Sequence, residues 1–216
     1  MALQHLPPIA IDGHRSSGSG GPDHPMRLAT RRAAGLASGG WTDELRREVT
    51  GFFDDLACEW HTRHSPQRTA VVIDALERGL DPMASPKGFA VEVGSGTGAY
   101  SPLLAERFSA VVAVDVSLAM LRQAPPGPAY RVRADGAALP IRNGSAVAVV
   151  LINAFLFPAE VDRVLRPDGV LVWVNSSGEQ TPIYLSAEDL VATLPGEWTG
   201  VTSRAGEGHW CVLKRQ

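Results

Sequence analysis

The chain has few cysteines, few aromatic residues and almost no net charge, and each shortage removes a class of function. Cys58 and Cys211 are the only two cysteines among 216 residues. They lie far apart in apolar contexts, so the sequence predicts two buried, reduced thiols and no disulfide framework. No paired Cys or His spacing of the zinc type occurs, and no metal is expected. A formal net charge of −3 with a pI near 6.1 gives no electrostatic case for nucleic acid or for an anionic membrane surface. No apolar run reaches the length of a bilayer span. Reduced thiols and the lack of such partners together point to a cytoplasmic protein.

The first 40 residues are poor in another sense. From His14 to Pro25 the chain is rich in Ser, Gly and Pro and almost free of large apolar side chains. Such a segment cannot bury enough surface to offset its ordering entropy, so a disordered N-terminal tail is expected over residues 1–40. A targeting peptide has weak support, because no long apolar stretch precedes a cleavage site.

Apolar residues make up 44% of the chain, enough for one α/β core. Thr42 to His61 has helical spacing in Leu45, Val49, Phe52, Leu56 and Trp60, with Thr42 as N-cap and Gly51 as a candidate break. Ser65-Pro66 opens a second helix carrying Val72, Ile73, Leu76 and Leu80. These helices form an expected capping unit over residues 41–88. From residue 89 strands alternate with helices: strands at 89–93, 110–115, 129–134, 146–152 and 170–175, helices at 100–108, 117–123, 158–165 and 186–194. That alternation predicts a doubly wound parallel sheet covered on both faces, and Ala146 to Ile152 is apolar throughout, as a doubly covered strand should be. A hairpin is expected last, 198–203 and 209–214 around Gly206-Glu207-Gly208. Little chain separates strand 170–175 from the next helix, so no sizeable lid is expected there.

The richest stretch is Glu92-Val93-Gly94-Ser95-Gly96-Thr97-Gly98, which follows a short apolar strand and precedes a helix. Strand, glycine loop and helix start form a nucleotide-type cradle, since glycine lets backbone turn sharply and approach a ligand closely. Asp115 closes the next apolar run, where a carboxylate can accept both hydroxyls of a ribose. A dinucleotide and S-adenosylmethionine (SAM) both carry a ribose. The third glycine comes one residue earlier than in the dinucleotide fingerprint, but that step alone does not decide between them.

Glu92 to Gly98 resembles the first motif of the class I SAM-dependent methyltransferases. The similarity continues in order: Val111 to Asp115 is similar to the second strand with its ribose acid, Ala134 to Pro140 to the segment lining adenine, and Val164 to Leu171 to the turn into strand five. The resemblance covers about residues 52 to 216 and implies a seven-stranded, mostly parallel sheet whose last strand is antiparallel, over a methyltransferase core at 89–216. It implies that Gly94, Ser95, Gly96 and Gly98 lie under the amino-acid end of SAM with Glu92 nearby. Asp115 would take the ribose hydroxyls, Val116 and Met120 would pack on adenine, and Asp135 and Gly136 would read its ring. Asn153 would face the methyl group. No Asn-Pro-Pro-aromatic run follows it, which argues against methylation of a nucleic-acid amine, and Asn153 stands where catechol-type relatives place a metal-binding acid.

Phe53, Trp60, Phe155 and Phe157 are candidates for an aromatic acceptor pocket. His61 and His64, after the capping helix, are the candidate general bases for a hydroxyl acceptor. The function this predicts is methyl transfer to a small molecule. The alternatives are a nicotinamide-dependent oxidoreductase on a Rossmann fold and a SAM-binding regulatory protein without transferase activity. The sequence leaves the acceptor and the oligomeric state open.

Overall fold

The computed structural model describes residues 3–13, 20–83 and 87–216. Residues 14–19 of the expected tail and 84–86 of the loop before the first core strand lie outside the described residues. The core strands are β2 (Phe89–Val93), β3 (Ala110–Asp115), β4 (Tyr130–Arg133), β5 (Ala146–Ile152), β6 (Leu165–Asn175), β7 (Trp198–Ala205) and β8 (Gly208–Arg215). A further short strand, β1 (Leu3–His5), runs parallel to β7, so the sheet has eight strands in the order β1-β7-β8-β6-β5-β2-β3-β4. The expected seven becomes eight through that strand. β8 pairs antiparallel with both β6 and β7, as the resemblance implies for the last strand.

Each face of the sheet buries one helical layer. On one side α6 (Pro158–Val164) and α7 (Ala187–Thr193) cover Val91, Val149, Leu171 and Trp173. On the other, α3 (Pro66–Asp74) and α4 (Ser101–Ala105) cover Ala90, Ala148, Val150 and Val172. All seven residues of β5 are buried, because this strand is central and covered on both faces. The short α5 (Leu118–Gln123) follows β3.

Local chemistry sets the helix ends. Thr42 accepts from the Leu45 N–H at 3.2 Å and opens α2 (Asp43–Leu56), whose first turn carries Asp43 and Glu44. Gly51 does not break α2: the helix passes through it, at a cost of about 1 kcal/mol relative to Ala. A 3-10 stretch, Ala57–Arg63, continues the chain, and Ser65 then caps α3 with Pro66 at its first position. α3 widens into a π turn, Ala75–Leu80, where Gly79 has no room for a side chain: a Cβ there would stand 2.8 Å from the Trp210 ring.

The expectation of a disordered tail over residues 1–40 needs correction. Besides β1, the Leu6 and Ile9 N–H groups donate to Thr202 and Arg204 carbonyls at 2.9 and 3.0 Å. Arg78 holds the Pro7 carbonyl at 2.7 Å. α1 (Pro25–Ala33) buries Met26, Ala29 and Thr30. Arg27 anchors it by donating to the carbonyls of Gly20, Glu179 and Thr181. A sheet edge offers backbone partners to any segment, so the low apolar content did not preclude order here. Cys58 also departs from expectation: it is exposed, and only Cys211 is buried. Among the described residues no helix is long and apolar enough to cross a membrane.

Candidate active site

The chain leaves β2 outward through β3 and β4, then returns to β5 on the other side of β2. At that reversal the connections leaving the carboxyl ends of β2 and β5 run to opposite faces of the sheet, and ligands in such sheets bind in the crevice so formed. A cavity of about 570 Å³ opens there.

Its floor is the glycine loop and the strand ends. Gly94, Gly96 and Gly98 have φ of 69°, 55° and 72°, a region other residues enter with strain. At Gly94 a Cβ would also stand 2.7 Å from that of Ala154. The Gly94 and Ser95 N–H groups both donate to the Val114 carbonyl, at 2.8 and 3.1 Å. The Gly96 N–H donates to one Asp115 carboxylate oxygen at 2.7 Å, and the Ser117 N–H to the other at 2.8 Å. Asp115 is therefore a scaffold of the loop as well as part of the cavity wall. Burial raises its pKa, against the pull of those backbone donors. Glu92 is buried under the loop, where its carboxylate accepts from the Ser101 hydroxyl, and desolvation pushes its pKa up to about 7. The Ser95 hydroxyl is buried without a partner among the described residues.

Val116 and Met120 line the cavity beyond Asp115. Asp135, after β4, accepts from the Ala137 N–H at 2.8 Å and, on both oxygens, from the Trp41 indole N–H at 3.1 Å. Gly136 leaves space for Phe157: a Cβ there would lie 2.7 Å from that ring. Asn153, at φ 51°, spends its amide on Ser176, donating to the hydroxyl at 2.9 Å and accepting from the N–H at 2.8 Å. It thereby ties the ends of β5 and β6. Among the described residues no group of three His, Cys, Asp or Glu side chains could hold a metal ion.

The cover comes from the N-terminal elements. Asp54 of α2 accepts from the Ser117 hydroxyl and, at 3.3 Å, from the Ala119 N–H. All four expected aromatics line the cavity. Phe53 and Trp60 meet edge-on at 5.6 Å, and Trp41 packs on Phe155 and Phe157 at 5.4 and 5.1 Å. The two histidines separate. His61 is exposed, with Nδ1 3.1 Å from the Cys58 carbonyl and outside the cavity lining. His64 is half-buried on the wall, edge-on to Tyr100 at 5.7 Å, and burial lowers its pKa.

Sequence reasoning missed two parts of this wall. Trp41 was passed over, although an aromatic just before an N-cap is a known packing position. The segment after β6, where no sizeable lid is expected, also reaches the cavity through Ser176, Ser177 and Gln180 to Ile183.

Residues 91–173 match the model of a methyltransferase domain. This stretch carries the glycine loop, Asp115, Asp135 and Asn153. No curated protein matches the chain. Among solved structures the fold is similar to that of DhpI in complex with S-adenosylhomocysteine (SAH). The two are 18% identical with a TM-score of 0.65, over 81% of this chain and 98% of that one. It is also similar to a SAM-dependent methyltransferase of Thermotoga maritima described as a possible histamine N-methyltransferase. There the identity is 15% and the TM-score 0.57, over 76% of this chain and 98% of the other. At such identities the likeness speaks to the fold.

Proposed function

We propose that the chain is a SAM-dependent methyltransferase that acts on a small, flat, largely apolar molecule, which it holds against the aromatic wall of the cavity. The observation that carries the reading is the composition of that single cavity. Acids and glycine backbone line its strand-end floor, while Trp41, Phe53, Trp60, Phe155 and Phe157 close it from the sides. The floor fits SAM on its own evidence: the loop glycines leave a bare backbone cradle, and the buried Ser95 hydroxyl has no partner among the described residues. Gly94 to Gly98 and Glu92 would hold the amino-acid end, Asp115 the ribose, and Val116, Met120, Asp135 and Gly136 the adenine. Asn153, locked to Ser176, would shape the wall beside the methyl group.

When bound, the sulfonium supplies an electrophilic methyl group. What the chain contributes is placement: it aligns the acceptor in line with the transferred carbon and keeps water out. Of the two candidate bases, His64 has the position on the cavity wall. Its lowered pKa keeps the ring neutral near pH 7, the form that takes a proton from a hydroxyl. His61 is left with a surface role.

The test is transfer of labelled methyl from SAM to a panel of phenols, aromatic amines and thiols, with RNA, DNA and protein as parallel acceptors. Label on a small aromatic acceptor is expected, with His64→Ala slowing a hydroxyl acceptor by roughly a hundredfold and leaving SAM affinity intact. Label on a macromolecule would refute the reading, as would binding of NAD and not SAM.

A further inference from the structure

Helix α2 is pinned at both ends to the turns that follow β3 and β4. Just before its cap, the Trp41 indole N–H donates to both carboxylate oxygens of Asp135, at 3.1 Å each. In its last turn, Asp54 accepts from the Ser117 hydroxyl and, at 3.3 Å, from the Ala119 N–H. Ser117 in turn donates its N–H to Asp115 at 2.8 Å. One pin therefore sits on the carboxylate assigned to adenine, and the other one residue away from the carboxylate assigned to ribose. The same helix builds the aromatic wall. Its Leu45 and Val49 pack with Phe155 and Phe157 in one apolar cluster, and Phe53 meets Trp60 edge-on at 5.6 Å. Trp41 rests on Phe155 and Phe157 at 5.4 and 5.1 Å. Phe157 also fills the space beside Gly136, so the turn after β4 and the aromatic wall share a ring.

We propose that Trp41 is a positioning residue that couples the two halves of the cavity. The bound nucleoside seats α2 through Trp41, and the seated helix completes the wall on which the acceptor lies. This coupling rests on the reading of the cavity as a SAM site with an aromatic acceptor wall. A ligand shifts such an equilibrium only through contacts that one state has and the other lacks. Val49, Phe53 and Leu56 of α2 line the cavity, so a bound nucleoside touches them only while the helix is seated. The nucleoside also takes water from around Asp135 and Asp115, and a hydrogen bond strengthens as its surroundings dry. Asp135 has lone pairs enough to accept from the adenine amino group and keep the indole. The acceptor wall is then complete only in the cofactor-loaded protein, and by reciprocity the acceptor tightens the cofactor by the same factor.

The experiment measures binding of 2-naphthol, a flat fluorescent phenol, to the full chain with and without saturating SAH, which has no methyl group to transfer. The unaltered protein should bind 2-naphthol about tenfold more tightly when SAH is present. Trp41→Phe keeps a ring on Phe155 and Phe157 but removes the pin, so the gain should shrink to about twofold, a loss of about one hydrogen bond. Asp54→Ala frees the other end of α2 and should shrink the gain likewise, which gives a second reading on a variant with the tryptophan intact. S-inosylhomocysteine, with an oxygen where adenine carries its amino group, should give little gain at equal occupancy. A gain that stays about tenfold in Trp41→Phe, whatever the absolute affinities, would mark Trp41 as a packing residue and overturn the coupling. If the unaltered protein binds SAH and 2-naphthol independently, the coupling is wrong and the cofactor site stands. If SAH does not bind, the cofactor reading falls and the coupling with it. If SAH binds and 2-naphthol does not in either state, the aromatic acceptor wall falls and the coupling again with it.

Discussion

The floor and the cover of the cavity are built by different physics. On the floor, polar groups are locked to the backbone. Asp115 is held by two N–H groups, the glycine loop hangs from the Val114 carbonyl, and Glu92 is sealed under Ser101. These contacts follow from sheet register, so they form whenever the strands pair. The cover is latched through its side chains: the Trp41 indole on Asp135, Asp54 on the Ser117 hydroxyl and the Ala119 N–H, and edge-on aromatic contacts. Each such latch contributes about 1 kcal/mol. A floor tied by backbone hydrogen bonds under a weakly latched cover lets the cover open without unfolding the site beneath it.

The sharpest way to break this comparison is to ask whether the floor is dry. Burial raises the Glu92 pKa from 4.5 to about 7, which corresponds to about 3 kcal/mol once the group is fully ionised. A carboxyl with a raised folded-state pKa stabilises the fold below its unfolded value and loses that contribution as pH rises. The loss should therefore fall between pH 4.5 and 7 and persist above. Glu92→Gln should match the unaltered protein in thermal stability at pH 4.5 and exceed it at pH 8. Parallel pH profiles would mean that Glu92 ionises freely in a wet floor. The same titration favours the cofactor: ionised Glu92 attracts an ammonium, so SAM affinity should increase as pH rises through about 7.

Next in size comes Asp115→Ala, which strips the floor of its main acceptor. SAM affinity should drop about ten- to a hundredfold, and stability by roughly 1–3 kcal/mol, because the buried N–H of Ser117 and the half-buried N–H of Gly96 lose their partner. Unfolding in denaturant and calorimetry read the two effects separately. Retention of full SAM affinity would remove Asp115 from the ribose site.

Trp41→Phe should do less. It deletes one latch and keeps the ring contacts with Phe155 and Phe157, so SAM affinity should fall about fivefold, equivalent to about 1 kcal/mol, with melting temperature nearly unchanged. A fall as large as that of Asp115→Ala would erase the distinction between floor and cover. The mildest test is chemical. Cys58, exposed in the cover, should react quickly with a thiol reagent in the folded protein. Cys211, buried in the sheet with its pKa raised by desolvation, should react only on unfolding. Equal rates would mean that the sheet opens as readily as the cover.

The floor was legible before any coordinates. β5 is a continuous apolar run, β2 and β3 are apolar apart from Glu92 and the closing Asp115, and the bounds of all three match the sequence reading residue for residue. The glycine loop and Asp115 stand at their carboxyl ends, so the place of the site followed from strand order. Helix α2 was also foreseen from its N-cap and spacing, although Gly51 does not break it.

The cover and the sheet edge were not legible, for two reasons. β1 pairs through backbone groups that every residue carries, so its side chains signal nothing, and a segment poor in apolar residues reads as a tail. The contact between Trp41 and Asp135 spans 94 positions, and that between Trp210 and Asp74 spans 136; no local period records such pairs. By itself the sequence determined the alternation of strands and helices, the buried strands and the glycine loop, because these depend on neighbours a few residues apart. Only the tertiary structure decided the eighth strand, the order of the N-terminal segment and which histidine reaches the cavity. Those depend on where distant surfaces meet once the chain has collapsed.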